Sequence, residues 1–336
     1  MSQNRSMRVA RALFFLVLMA GCSGASGTGD LPQGEPGGSD QGGQGGASGQ
    51  GGAGQGGEGA GAGASGSGGG VVVGGNGGGG DDTNCGQGVG KVIYVVSNEY
   101  VLLSFDPATL GFTTIGKLGC PAGFGDTPFS MAVDRNGTAF VLYQSGNIFK
   151  VSTQDASCSP SGYKPNQQGW ERFGMAYVSD AAGSNSETLF VIDGTGLSGL
   201  GSNKGLGKIS QSGQLSTVGQ FNQGFAGRTA EVTGLGDGRL FGFFVDSSKD
   251  LSSVAEIDKN TGDVLSNEPQ ALPPINAWAF AHWGGSFYLF NGDGLTPSRV
   301  HKYTPGKGTE LVVQNAGYSI VGAGVSTCAP TTPIIN

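Results

Sequence analysis

Ser130 to Tyr143 reads SMAVDRNGTAFVLY, two apolar runs around a turn. The same shape returns without a gap in Glu231 to Phe244, EVTGLGDGRLFGFF, and in Ala277 to Phe290, AWAFAHWGGSFYLF. Gly174 to Val178 with Thr188 to Asp193 is the same unit carrying an insertion of six residues. Val92 to Ser97 supplies the second half of a fifth copy, whose first half stands at the other end of the chain, Ser319 to Val325. Each copy is followed by a small or polar residue and a large apolar one, as in Ser104-Phe105, Lys150-Val151 and Glu256-Ile257. A turn and, in most copies, a fourth short run such as Phe112 to Leu118 complete the unit. Asp106-Pro107, Asn260 to Gly262 and Pro305-Gly306 carry the residues that tight turns require. A four-stranded unit repeating at a pitch of 42 to 57 residues is the blade of a β-propeller.

Inner strands starting at Ser130, Gly174, Glu231, Ala277 and Ser319 predict an all-β chain of five four-stranded blades. The first blade is composite: the C-terminus supplies its inner strand and the N-terminus the others, so that closing the ring leaves no open sheet edge. The alternative is six blades, with a degenerate one inside 119–169. Four cysteines lie outside the leader and can pair in three ways. Cys85 precedes the first strand and Cys328 follows the last, which favours Cys85 with Cys328 and Cys120 with Cys158. A cross-link over so long a loop stabilises by up to about 5 kcal/mol on a chain-entropy argument.

The first residues address the chain. Arg5, Arg8 and Arg11 precede an apolar run from Ala12 to Ala20 that is too short to span a bilayer and ends in small residues before Cys22, the pattern of an export signal. Leu18-Met19-Ala20-Gly21-Cys22 resembles a bacterial lipobox, with Met19 where leucine is commoner. The resemblance implies cleavage before Cys22, acylation of that cysteine, and attachment to a membrane by lipid alone. Ser23 disfavours the inner-membrane retention that an aspartate there signals in some bacteria, and the expected address is the outer membrane. Residues 1–21 are thus read as signal, 22–84 as a tether, 85–330 as the propeller and 331–336 as a tail. From Gln41 to Gly80, 23 of 40 residues are glycine, a composition that cannot bury enough surface to fold. As a coil of about 60 residues it spans roughly 45 Å.

Composition limits the partners. Loss of the three leader arginines leaves 15 of 18 basic residues against 25 acidic ones, a net charge near −10. With no Lys/Arg cluster, nucleic acid is not an expected partner. Gly194 to Gly199 spells GxGxxG, but neither a following helix nor an acidic residue about 20 positions on accompanies it. His282 aligns with Arg135 in a first-to-second-strand turn and His301 with a packing position, so neither histidine stands where a zinc site or triad needs it.

Asp134, Asn136 and Gly137 in AVDRNGTAFV resemble the turn signature of NHL-type and sugar-lactonase-like propellers, where the segment is structural. Lactonase-like enzymes hold a divalent cation at the channel mouth on carboxylate and amide side chains. The resemblance therefore implies Glu231 and Asn276 as ligands under an alternative reading as a metal-dependent lactone or ester hydrolase. Ser130, Gly174 and Ser319 add no further carboxylate to that ring. The leading expectation is a non-catalytic, cofactor-free, monomeric binding or scaffold propeller for an envelope protein or glycan, with a purely structural surface role as a third reading. Its binding face is expected on the loops before the inner strands and on the long second-to-third-strand loops 194–205, 246–253 and 292–298. Those segments carry Trp170, Arg172, Arg228, Asn276 and Tyr318, and Glu231 at the start of an inner strand joins them on the candidate face. Trp170 is expected to face solvent and Trp278 to plug the core, unless the aromatics cap the channel.

Overall fold

The computed structural model describes residues 85, 86, 88–194, 204–222, 224–246, 251–272 and 276–334; the leader, Cys22, the glycine-rich tract and most of the 194–205 and 246–253 loops lie outside them. The chain begins with β1 (Ile93–Ser97), β2 (Val101–Asp106) and β3 (Gly111–Lys117). It then builds β4 (Pro128–Val133), β5 (Thr138–Tyr143), β6 (Ile148–Ser152) and β7 (Cys158–Pro160). The third blade is β8 (Phe173–Ser179), β9 (Glu187–Asp193), β10 (Leu206–Ile209) and β11 (Leu215–Gly219). The fourth is β12 (Thr229–Gly234), β13 (Leu240–Asp246), β14 (Leu251–Ile257) and β15 (Val264–Gln270). The fifth is β16 (Ala277–Trp283), β17 (Ser286–Gly292), β18 (Arg299–Thr304) and β19 (Gly308–Val313), and β20 (Ile320–Gly324) returns to pair antiparallel with β1. Five four-stranded antiparallel sheets result, the first composite, in a propeller ring.

Successive side chains of a strand point to opposite faces, and each face of a blade meets a neighbouring blade. On β1, Ile93 and Val95 pack toward blade five, while Tyr94 and Val96 pack toward blade two. The buried apolar residues accordingly form five clusters, one at each of the five junctions between adjacent blades. The junction of blades five and one is as apolar as the rest, with Phe105 edge-on to Phe290 at 5.5 Å. Outer strands such as β3 and β19 are mostly exposed. Inner strands pack backbone to backbone: a Cβ on Gly174 would meet the Ala230 carbonyl, and one on Gly234 that of Tyr177.

The weak stretch 119–169 is no extra blade. Its fourth strand is short, and the Cys120–Cys158 disulfide ties β7 to the connection that leads into the blade. Asp134 makes the β4–β5 turn, its Oδ1 accepting the N–H groups of Asn136 and Thr138 at 3.0 and 2.7 Å. Blade five turns differently. Gly284 and Gly285, with φ of 59° and 74°, close a two-residue hairpin, so that Phe280 rather than Ala277 lies opposite Leu289. The gapless alignment therefore misplaces this inner strand. His282 is inside β16 and 4% exposed, not in a turn.

Cys85 and Cys328 are bonded, joining the two ends of the described chain across the composite blade. Beneath them Arg135 is buried, its Nη1 donating to Ser179 Oγ at 3.4 Å and Thr327 Oγ1 at 3.3 Å. Glu187 completes the lock: it accepts the Arg135 N–H and the Thr327 hydroxyl, each at 2.8 Å. Burial raises the Glu187 carboxyl above its ordinary range against the pull of those two donors.

Candidate functional site

An up-and-down blade sends its second-to-third and fourth-to-next-first connections to one end of the ring. The first-to-second and third-to-fourth turns go to the other end. The first of these, the loop face, carries the expected site residues. Arg172 is half-buried just before β8, its guanidinium 5.8 Å from the Phe129 ring centre and its Nη1 donating to Gln144 Oε1 at 3.1 Å. Arg228 stands in the same relation to β12, 4.9 Å over Phe225. Each arginine is thus laid on an aromatic ring at the entry to an inner strand, a cation–π arrangement that holds the side chain over the rim. Tyr318 is half-buried before β20 and its carbonyl accepts the Ser298 N–H at 2.8 Å. Asn276 is exposed, its amide reaching the Asp293 carbonyl at 3.4 Å.

Two residues on this face carry no periodic signal and escape a search for repeats. Phe124, in the connection from β3 to β4, and Leu295, between β17 and β18, are the most exposed large apolar side chains among the described residues. Both stand among turn residues, Gly123-Phe124-Gly125 and Gly294-Leu295-Thr296-Pro297, where alternation has nothing to read. Asp293 fixes the second loop, its Oδ1 accepting the N–H groups of Leu295 and Thr296 at 2.8 and 2.7 Å.

Trp170 is not on the rim. The 3-10 turn Gln167–Gly169 folds its indole inward, where it is 0% exposed, edge-on to Phe173 at 6.4 Å and packed over Gly207. Trp278, expected at the core, is only half-buried in β16. Neither tryptophan sits as expected: the 3-10 turn directs Trp170 into the core, and the shifted hairpin of blade five leaves Trp278 half-buried against the cluster between blades four and five.

Glu231 lies within β12, enclosed by the inner strands, with Ser130 Oγ donating to its Oε2 at 2.8 Å across the ring. Burial pushes its carboxyl well above the usual carboxylate range, and the serine opposes that only in part. Glu231 is thus occupied inside the ring, whereas Asn276 faces solvent. Among the described residues no three of His, Cys, Asp or Glu converge as metal ligands. His301 Nδ1 and Asn291 Oδ1 are 2.7 Å apart on blade five, a packing contact between neighbouring strands.

No protein-family model and no curated protein sequence matches the chain. Among solved structures it is similar to a protein of unknown function from Bacteroides caccae, at 14% identity and a TM-score of 0.36 over 67% of this chain and 73% of that one. An oligogalacturonate lyase in complex with manganese aligns at 12% identity and a TM-score of 0.33, over 66% and 62% of the two chains. Neither likeness bears on function. The molecule is a five-bladed β-propeller, and its two disulfides suggest an extracytoplasmic protein. Among the described residues no helix is long and apolar enough to cross a membrane.

Proposed function

We propose that this chain is a non-catalytic binding propeller of the bacterial envelope, held on the outer membrane through acylated Cys22 and engaging an envelope protein or glycan with its loop face. The observation that carries the reading is the exposure of Phe124 and Leu295 on the same face as the aromatic-backed Arg172 and Arg228. Aromatic and arginine side chains presented on one face are the residue types enriched at interface hot spots. The position of the seam supports it as well. The chain enters at Cys85 on the turn side, so a tether attached there leaves the loop face at the opposite end of the ring.

Two measurements test this. Cys22→Ala should stop processing at Gly21 and move the protein from the detergent phase to the aqueous phase; membrane partitioning that persists rules out the anchor. Replacing Phe124 and Leu295 together by serine should leave the melting temperature unchanged and abolish capture of the envelope partner from extracts. Equal capture by the wild type and this double variant rules out the loop face.

A further inference from the structure

On the turn side, away from Arg172 and Arg228, blades two and three part to leave a cleft of about 470 Å³. Its floor is aromatic: Phe140 of β5 and Tyr177 of β8 meet edge to face at 5.3 Å. One wall is the insertion that distinguishes the third repeat, since Asp180 and Glu187 both belong to the long β8–β9 connection or its flank. Lys150 stands opposite, its ammonium 5.7 Å from the Phe140 ring centre. Tyr163 also lines the cleft; it is 8% exposed and its hydroxyl has no hydrogen-bond partner among the described residues. A buried hydroxyl without a partner is unfavourable for folding alone and calls for another explanation.

We infer that this inter-blade cleft binds a neutral saccharide. The volume lies in the range of small-molecule sites, and an apolar floor with a few fixed polar groups is their usual composition. A pyranose has an apolar C–H face that rests on aromatic rings and a rim of hydroxyls that both donate and accept. The cleft offers both: Lys150 donates, Asp180 accepts through the oxygen not taken by the Thr188 hydroxyl, which holds its Oδ1 at 2.7 Å, and the Tyr163 hydroxyl does either. Glu187 has both oxygens committed to Arg135 and Thr327, so it shapes the wall without being a free acceptor. One ammonium against two carboxyl groups gives no net attraction for an anion, which excludes uronic acids as the preferred ligand. The corresponding cleft between blades four and five is built differently. Phe241 holds the place of Phe140, but the volume is about 290 Å³, Glu256 replaces Lys150, and the nearby Arg239 is tied to Asp237 at 2.8 Å.

This inference does not depend on the loop-face reading, and its test leaves that face untouched. The full chain, purified in detergent, is titrated calorimetrically with methyl glycosides of neutral hexoses and N-acetylhexosamines, and with uronates for comparison. At least one neutral glycoside should bind with a Kd of about 1 mM or tighter, with uronates about tenfold weaker. Tyr163→Phe, which removes only the unpartnered hydroxyl, should weaken binding about tenfold without lowering the melting temperature, and Lys150→Ala should weaken it as well. Lys307→Ala on blade five serves as the unaffected control. The inference is overturned if no neutral glycoside binds, if uronates bind better, or if both cleft variants bind like the wild type. It is equally overturned if Tyr163→Phe lowers the melting temperature in step with binding.

Discussion

Truncating Trp170 to alanine empties the place of the largest fully enclosed side chain, at the junction of blades two and three. The loss should be about 3–5 kcal/mol in guanidinium unfolding, as for other aromatics removed from a packed interior. Trp278→Ala, at a half-buried position, should cost clearly less. Equal losses would contradict the packing described. Glu231 gives a second residue-scale test. Its ordinary pKa is 4.5 and the folded value is raised by burial, so the native state is penalised from about pH 4.5 upward, where the unfolded chain ionises first. Stability from this group is present below that pH and lost as pH climbs toward the folded pKa. Glu231→Gln keeps an acceptor for Ser130 and removes the penalty. It should match the wild type below pH 4.5 and melt higher at neutral pH; a deficit constant across pH would refute the assignment.

Among the elements, β20 has the largest consequence. It pairs with β1, packs between β4 and β16, and brings Cys328 to Cys85. Deleting residues 318–336 exposes the edge of β1 and opens the ring, so the truncated protein should aggregate or lose cooperative unfolding. A monomer that melts in one sharp transition would place the closure elsewhere. The element level was also the most legible in sequence. Half a repeat at each end of the chain announces a composite blade, and the cysteines flanking those halves announce their bond. What escaped was register and direction. The Gly284-Gly285 turn shortens one hairpin inside an otherwise gapless alignment, which moved His282 into a strand. The turn at Gln167–Gly169 includes Gln168 at a φ of 51°, a left-handed step that no hydrophobic period encodes and that sends Trp170 inward. The candidate rim was legible where arginine or tyrosine precedes an inner strand. Phe124 and Leu295 were not, because a single apolar residue among turn residues forms no pattern.

For the molecule as a whole, the position of the Cys85–Cys328 bond decides how it meets a mechanical load. Under the proposed anchoring through Cys22, a pull on the chain ahead of Cys85 would reach the ring at this bond. Were the chain to enter directly through β1, that force would act on one end of one strand and could peel it from its neighbours one hydrogen bond at a time. The disulfide divides the load at Cys85 between β1 and the segment after β20, which are neighbours in the same sheet and run antiparallel. Tension then reaches both strands from the same side of the ring at once, and neither can separate without stretching a covalent link. The bond that closes the circle therefore also spreads any load applied at Cys85 over two strands, so that the opposite face can stay in shape while the ring is pulled.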